Sequence, residues 1–205
     1  VWSLINGAVD LVGQYPGLAL LIAFTASIVE AVAVLGVLIP GTPILMAVAA
    51  AAAMAGMPIT PILIVSIIGA VIGDFVSYWL GARFSFRLRR MWPFATRPML
   101  MTHAEAFFHR YGSASVAICR FVPVLRSTVP LVAGMAGMSR TRFLVANVCS
   151  AFVWAPAHIV PAKFAGLSLS ELAQGDWQGA ALCAVALAAF TWAGWLLHRK
   201  LIRQR

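Results

Sequence analysis

Residues 112–138 read GSASVAICRFVPVLRSTVPLVAGMAGM. The stretch is apolar enough to enter a bilayer, yet it carries Arg120 and Arg126 and is interrupted by Pro123 and Pro130. An arginine at the bilayer centre costs roughly 2.5–3.5 kcal/mol on insertion scales. Proline removes a backbone donor and prevents a straight helix. A segment combining the two is a poor simple span. It calls for compensation from its surroundings: buried acids, water or an anionic ligand.

The composition places that segment in a membrane protein. Of 205 residues, 62% are hydrophobic and 10% charged, against about 45–50% and about 25% in soluble domains; mean hydropathy is +0.92. One membrane domain over 1–205 is expected. The net charge of +9 comes from thirteen arginines and two lysines against six acids. In a membrane protein that excess reads as cytoplasmic loops and anionic-lipid contact, not as nucleic-acid binding. Cys119, Cys149 and Cys183 are odd in number, far apart and set in apolar runs. They read as small core residues, with no disulfide framework or metal site. The first residue is valine, which leaves the native start open, and no cleavable signal-peptide pattern is expected.

Working outward, residues 1–16 read as a short amphipathic lead, and 18–39 as a span with Glu30 as its only charge. Pro40-Gly41-Thr42-Pro43 then marks a turn where the apolar character continues. The apolar run 44–56 is too short to cross, so 40–57 is expected as a re-entrant hairpin, with Pro40 and Gly41 forming its turn. Residues 59–81 predict a second span, with Asp74 towards one end and Tyr78-Trp79 as interfacial aromatics. Gly69, Gly73 and Gly81 should permit close helix packing. Residues 82–111 hold six arginines against Glu105 alone. They read as a basic cytoplasmic loop, with a Thr102–Glu105 capping box opening an interfacial amphipathic helix that Gly112 ends. Residues 143–165 predict a third span with His158 between Pro156 and Pro161, then a short loop at 166–176. A last span is expected at 177–198, followed by a basic tail in which Trp192 and Trp195 mark the interface.

Arginine placement then sets orientation, with both termini cytoplasmic. Four spans plus two hairpins entering from opposite faces, 40–57 and 112–138, satisfy that placement. The resulting fold class is an all-α integral membrane protein built as an inverted repeat, with a midplane site.

Glu30, Asp74, Arg120 and Arg126 are the charges buried by sequence position. Four isolated charges at depth cost on the order of 10 kcal/mol, comparable with a whole fold's stability of about 5–15 kcal/mol. They must pair, reach water or neutralise. One reading is two structural ion pairs holding hairpins to spans. The other is a site where arginines hold an anion while a carboxylate exchanges protons; two planar five-donor forks suit a phosphate best. A third, snorkelling to the interface, fits Asp74 better than Glu30. His158 reads as an interhelical hydrogen-bonding residue, with proton relay as the alternative. The sequence has no G-x-S-x-G, H-E-x-x-H or Walker loop. No enzyme, metal or cofactor is expected, and proton-motive force is the energy source open to it.

At these residues the chain resembles the DedA family of bacterial inner-membrane proteins, related to SNARE-associated Golgi or VTT-domain proteins. The resemblance rests on Glu30 ten residues before Pro40-Gly41, and on Gly73-Asp74 followed by Tyr78, Gly81 and Arg83. It rests above all on R-F-x-P-x-x-R-x-x-x-P-x-x-A-G from Arg120 through Gly134, followed by Met138, Phe143, Asn147 and Trp154. The resemblance implies a multi-pass inner-membrane protein with paired re-entrant hairpins that moves lipids: undecaprenyl phosphate, or phospholipids such as phosphatidylethanolamine. By match, Glu30, Arg120 and Arg126 take the family's functional acidic and basic positions. Thr42 departs from the pattern, in which Asp or Glu often follows the first hairpin's proline-glycine. Threonine cannot titrate near neutral pH, so proton coupling would run through Glu30, with Asp74 as a second candidate. The expected partners are membrane lipids and an anionic lipid phosphate held by Arg120, Arg126, Glu30, Thr42 and Asp74, with oligomeric state left open. A phospholipid flippase or scramblase, and a non-transporting scaffold acting through its basic loop, stand as alternatives.

Overall fold

In the computed structural model, the residues described are 2–33, 35–90, 111–112, 114–121, 123–183 and 185, and no strand occurs among them. Helix α1 runs Trp2–Gln14 and α2 Pro16–Ala31. Their axes meet at 108°, because Pro16, at the start of α2, has no N–H with which to continue α1. A short turn of helix, α3 (Leu35–Leu38), leads through Pro40 into α4, Gly41–Met54. Helix α5 then runs Thr60–Arg89. After the basic segment come α6 (Ala114–Cys119), α7 (Pro123–Met135) and α8 (Arg140–Ala173), and residues 177–183 are again helical.

Two of these helices are long and apolar enough to cross a membrane, α5 over Thr60–Leu88 and α8, or three if α1 and α2 form one bent span. Helix α4, at 14 residues, is about 21 Å long and falls short of about 30 Å of hydrocarbon.

The expected span 18–39 is therefore corrected: its helix stops at Ala31. The physical reason lies on α5. Ser77 Oγ accepts a hydrogen bond from Ala33 N at 2.9 Å and reaches the Ala31 carbonyl at 3.0 Å. A side chain thus serves backbone groups that the broken helix leaves without partners.

The span expected at 59–81 does not stop at Gly81. Helix α5 continues through Arg83 and Arg87 to Arg89, with non-helical dihedrals at Phe84. Arginine is a good helix former, and Arg83 and Arg87 lie over the Phe84 ring, their Cζ atoms 5.7 and 5.9 Å from its centroid. Helix α8 likewise extends through most of the expected loop 166–176, turning only at 174–176. The interfacial helix, its capping box and most of the last span fall outside the described residues.

Helix α5 is the axis of the packing: α2 lies along one part of it and α7 along another, while α4 packs on α8. Close approach depends on glycine, as expected for Gly69, Gly73 and Gly81. A Cβ on Gly69 or Gly73 would lie 2.7 Å from the Phe24 carbonyl or 2.6 Å from that of Ile28. On Gly81 and Gly134 it would run into the backbone of Leu131 and Tyr78. Small residues let helix backbones meet where the hydrophobic effect gives no drive between them.

Two buried apolar clusters result. One gathers Val12, Ala23, Leu45, Ile62, Trp154 and Ile159 from five helices. The other gathers Tyr78, Val116, Leu131, Val132 and Phe143. Tyr78 is therefore not interfacial: its ring stacks on Phe143 at 4.3 Å and its hydroxyl donates to the Met138 carbonyl. Trp79 is exposed. Of the three cysteines only Cys119 is buried; Cys149 is exposed and Cys183 intermediate, and all three are free.

The polar site between two apolar clusters

Along α8, Phe143 and Ala146 belong to one apolar cluster, and Trp154 and Ile159 to the other. Between them lie Asn147 and Ser150, both buried. Asp74 faces this polar layer from α5; it is the fifteenth of that helix's thirty residues and 2% exposed. That central, buried position does not suit the alternative of snorkelling from a span end.

The arginine segment enters the layer through its break. Helix α6 ends at Cys119, and Arg120 and Phe121 turn before Pro123 opens α7. Proline suits a first helical position because its missing N–H would have had no partner there. It also disfavours helical geometry in the preceding residue, so the break is written into the sequence at that point. Pro130, inside α7 and buried, cannot donate to the carbonyl of Arg126 four residues back.

Both arginines are buried, 4% and 5% exposed, and each meets a different acid. Arg120 Nη1 lies 2.8 Å from Asp74 Oδ2. It also donates towards Asn147 Oδ1 (2.7 Å), the Asn147 carbonyl (3.2 Å) and Ser150 Oγ (3.0 Å). Asn147 in turn donates to the Val71 carbonyl at 3.1 Å, tying α8 to α5. Arg126 Nη1 lies 2.6 Å from Glu30 Oε1 and 3.2 Å from Thr42 Oγ1, and the Thr42 hydroxyl donates to the same Glu30 oxygen. The Arg126 guanidinium sits over the Trp154 ring, with Cζ 3.9 Å from its centroid.

Glu30 reaches Arg126 because α2 breaks directly after it and α4 begins beside it. A Cβ on Gly41 would stand 2.7 Å from Glu30 Cβ and 2.9 Å from its Oε2. Only glycine admits so close an approach. His158 lies one turn beyond Trp154, its ring 5.0 Å from the indole. Its Nδ1 is 2.9 Å from the Trp154 carbonyl, so its bond lies within its own helix, not between helices as expected.

These groups border a cavity of about 300 Å³ lined by Glu30, Thr42, Arg120, Arg126, Trp154 and His158, with Gly36, Pro40, Pro43 and Phe121. Nε and Nη2 of both arginines are buried without a hydrogen-bond partner, as are Glu30 Oε2 and Asp74 Oδ1. Unsatisfied buried charged groups are rare and expensive, so the site presents free donors and free acceptors together.

A family model for the VTT domain matches residues 39–164, more than half of the chain. The chain belongs to the VTT-domain, or DedA, family. Relatives include "Inner membrane protein YabI" of Escherichia coli, 28% identical over 186 residues that cover 88% of this chain and 72% of YabI. "Uncharacterized membrane protein Rv2637" of Mycobacterium tuberculosis is 31% identical over 159 residues, 74% of this chain and 73% of the relative. "Protein DedA" of Escherichia coli is 28% identical over 153 residues, 71% of this chain and 68% of the relative. No solved structure matches the chain. The matched family region takes in Thr42, Asp74, Arg120, Arg126 and His158, while Glu30 lies before it.

The site thus draws together the charges that the sequence singled out, in two separate pairs. The roles of Asn147, Ser150 and Trp154 in holding the arginines were not anticipated. Their spacing, with 150 and 154 three and seven positions after 147, puts them on one helical face, and that was the available signal.

Proposed function

We propose that this chain is a membrane carrier for lipid phosphates, undecaprenyl phosphate foremost, and not an enzyme. The observation that carries the reading is the four unpartnered arginine nitrogens, Nε and Nη2 of Arg120 and Arg126, buried beside one cavity. A phosphate offers several acceptor oxygens to such planar forks. The cavity suits a headgroup alone, so the hydrocarbon chain would remain in the bilayer.

The helix plan supports a carrier. In each half a break at proline precedes a short helix, which closes on a left-handed glycine and leads into a long one. The first half runs α3, Pro40, α4, Gly56 (φ 71°) and α5; the second runs α6, Pro123, α7, Gly137 (φ 74°) and α8. Both short helices close alike, with Met57 N bonded to the Ala52 carbonyl at 2.9 Å and Met138 N to that of Ala133 at 3.1 Å. We read α3–α4 and α6–α7 as re-entrant hairpins of an inverted repeat that meet at the midplane. Arg126 would exchange Glu30 for the phosphate, and Glu30 could take up a proton as it is released. The termini would be cytoplasmic and the membrane the bacterial inner membrane.

The unpartnered Glu30 Oε2 at the cavity wall favours a second reading. It would accept a hydrogen bond from an ammonium, so a zwitterionic phospholipid headgroup suits the same cavity. The test uses purified protein in liposomes that carry labelled polyprenyl phosphate. Arg126→Ala should abolish its movement between leaflets, whereas movement at the wild-type rate would refute the assignment. Excess phosphatidylethanolamine that suppresses the wild-type signal would favour the second reading.

A further inference from the structure

An arginine that trades one anion for another must keep its place while neither is fully bound. Its holding contacts therefore have to come from groups that do not leave with the carboxylate. We propose that the α8 stripe of Asn147, Ser150 and Trp154 is that positioning element, with Trp154 setting the plane of Arg126. The inference rests on the cavity being a lipid-phosphate seat, and names residues that aim its donors.

Every member of the stripe is buried and neutral. Asn147 and Ser150 hold Arg120 by Nη1 alone, at 2.7 and 3.0 Å, and Asn147 is itself fixed to the Val71 carbonyl. Trp154 is fully buried, and its ring lies 3.9 Å from Arg126 Cζ but 5.8 Å from Arg120 Cζ. Stacking on the guanidinium face occupies none of its N–H groups. It restrains the plane while leaving Nε and Nη2 of Arg126 without partners. If the carboxylate of Glu30 withdraws, Arg126 keeps the indole beneath it. Its free edge then stays presented to the cavity instead of swinging after the acid.

Trp154 thus acts through Arg126, which a binding cycle can read. The probe is decyl phosphate, titrated by calorimetry into the full chain in detergent, with Trp154→Phe, Trp154→Met and Trp154→Leu as variants. Phenylalanine keeps an aromatic face and should bind within about threefold of wild type, while methionine and leucine should bind about tenfold more weakly. In an Arg126→Met background, which has neither a planar fork nor a cation over the ring, the same Trp154 changes should alter affinity by less than about twofold. Equal affinity of wild type and Trp154→Leu would overturn the inference. So would a loss of the same size in both backgrounds, because that marks Trp154 as packing only. Wild-type protein that fails to bind decyl phosphate would instead sink the lipid-phosphate reading itself. Should Trp154→Leu not fold, Trp154→Met carries the comparison with a flexible apolar chain that fills irregular gaps.

Discussion

Arg120 and Arg126 are six residues apart on one broken segment, yet they are held in opposite ways. Arg120 is clamped: its ion pair with Asp74 is 3% exposed on both sides and is backed by three neutral oxygens on α8. Arg126 is latched: Glu30 is 13% exposed, and its other neighbours are the Thr42 hydroxyl and the Trp154 ring. The clamp joins the arginine segment to α5 and α8, the two long helices. The latch joins it to the end of α2 and the start of α4, where the chain is already broken. A buried ion pair owes much of its cost to desolvation, so burial alone does not reveal which pair opens. The number of partners that stay behind is the better guide, and on that count the latch is the side expected to open in a carrier.

The largest effect should come from leaving a clamped charge alone. Asp74→Ala leaves the buried Arg120 charge with neutral oxygens alone and is expected to destabilise the protein by about 3–5 kcal/mol. Glu30→Ala strands Arg126 at a cavity wall with Thr42 and Trp154 still in place, and the expected loss is about 1.5–3 kcal/mol. Unfolding of the two variants in the same detergent measures the difference directly. Equal losses would remove the distinction between clamp and latch.

A smaller effect should come from the backbone that brings the latch together. Gly41→Ala places a methyl 2.5 Å from the Ala26 carbonyl and 2.7 Å from Glu30 Cβ. Pushing α4 off α2 is expected to cost about 1–3 kcal/mol. Because the damage falls on Glu30, it should be non-additive with Glu30→Gln and additive with Asp74→Asn, within about 0.5 kcal/mol. Additivity with both would mean that α4 can shift without disturbing the latch.

Much of this arrangement was legible from charge and punctuation. Two arginines and two prolines in one apolar run required a break with buried acids nearby, and Pro40-Gly41 placed a second break close to Glu30. Pairing was not legible. Which acid meets which arginine depends on how α2, α5 and α8 face one another, and hydropathy carries no such information at residues 30 and 74. The end of α2 was hidden for a related reason: apolar character runs unbroken to Ile39, and the hydroxyl that stabilises the break belongs to Ser77, forty-four residues from Ala33. The extent of α5 was obscured by reading its arginines as loop, although an arginine whose head lies over an aromatic ring continues a helix readily. Trp154 stood in the sequence as part of the family resemblance with no task assigned to it. Only the position of Arg126 over its ring gives it a polar task.

The smallest expected effect concerns Thr42. Its hydroxyl donates to Glu30 Oε1 and accepts from Arg126 Nη1, so it serves both partners of the latch at once. Thr42→Val keeps the shape and removes both bonds, with an expected loss of about 0.5–1.5 kcal/mol. An acid here would add a second negative charge beside Glu30 and compete for Arg126. A hydroxyl adds none, and on the carrier reading proposed above leaves Glu30 as the carboxylate that would withdraw before a phosphate takes its place. Thr42→Val should therefore loosen the latch without blocking it, so that labelled polyprenyl phosphate moves in liposomes at least as fast as in wild type. Thr42→Asp should slow that movement by holding Arg126 in a second ion pair. If Thr42→Val instead stops transport while the protein stays folded, the hydroxyl is a ligand for the headgroup, and the latch includes a third group that touches the substrate.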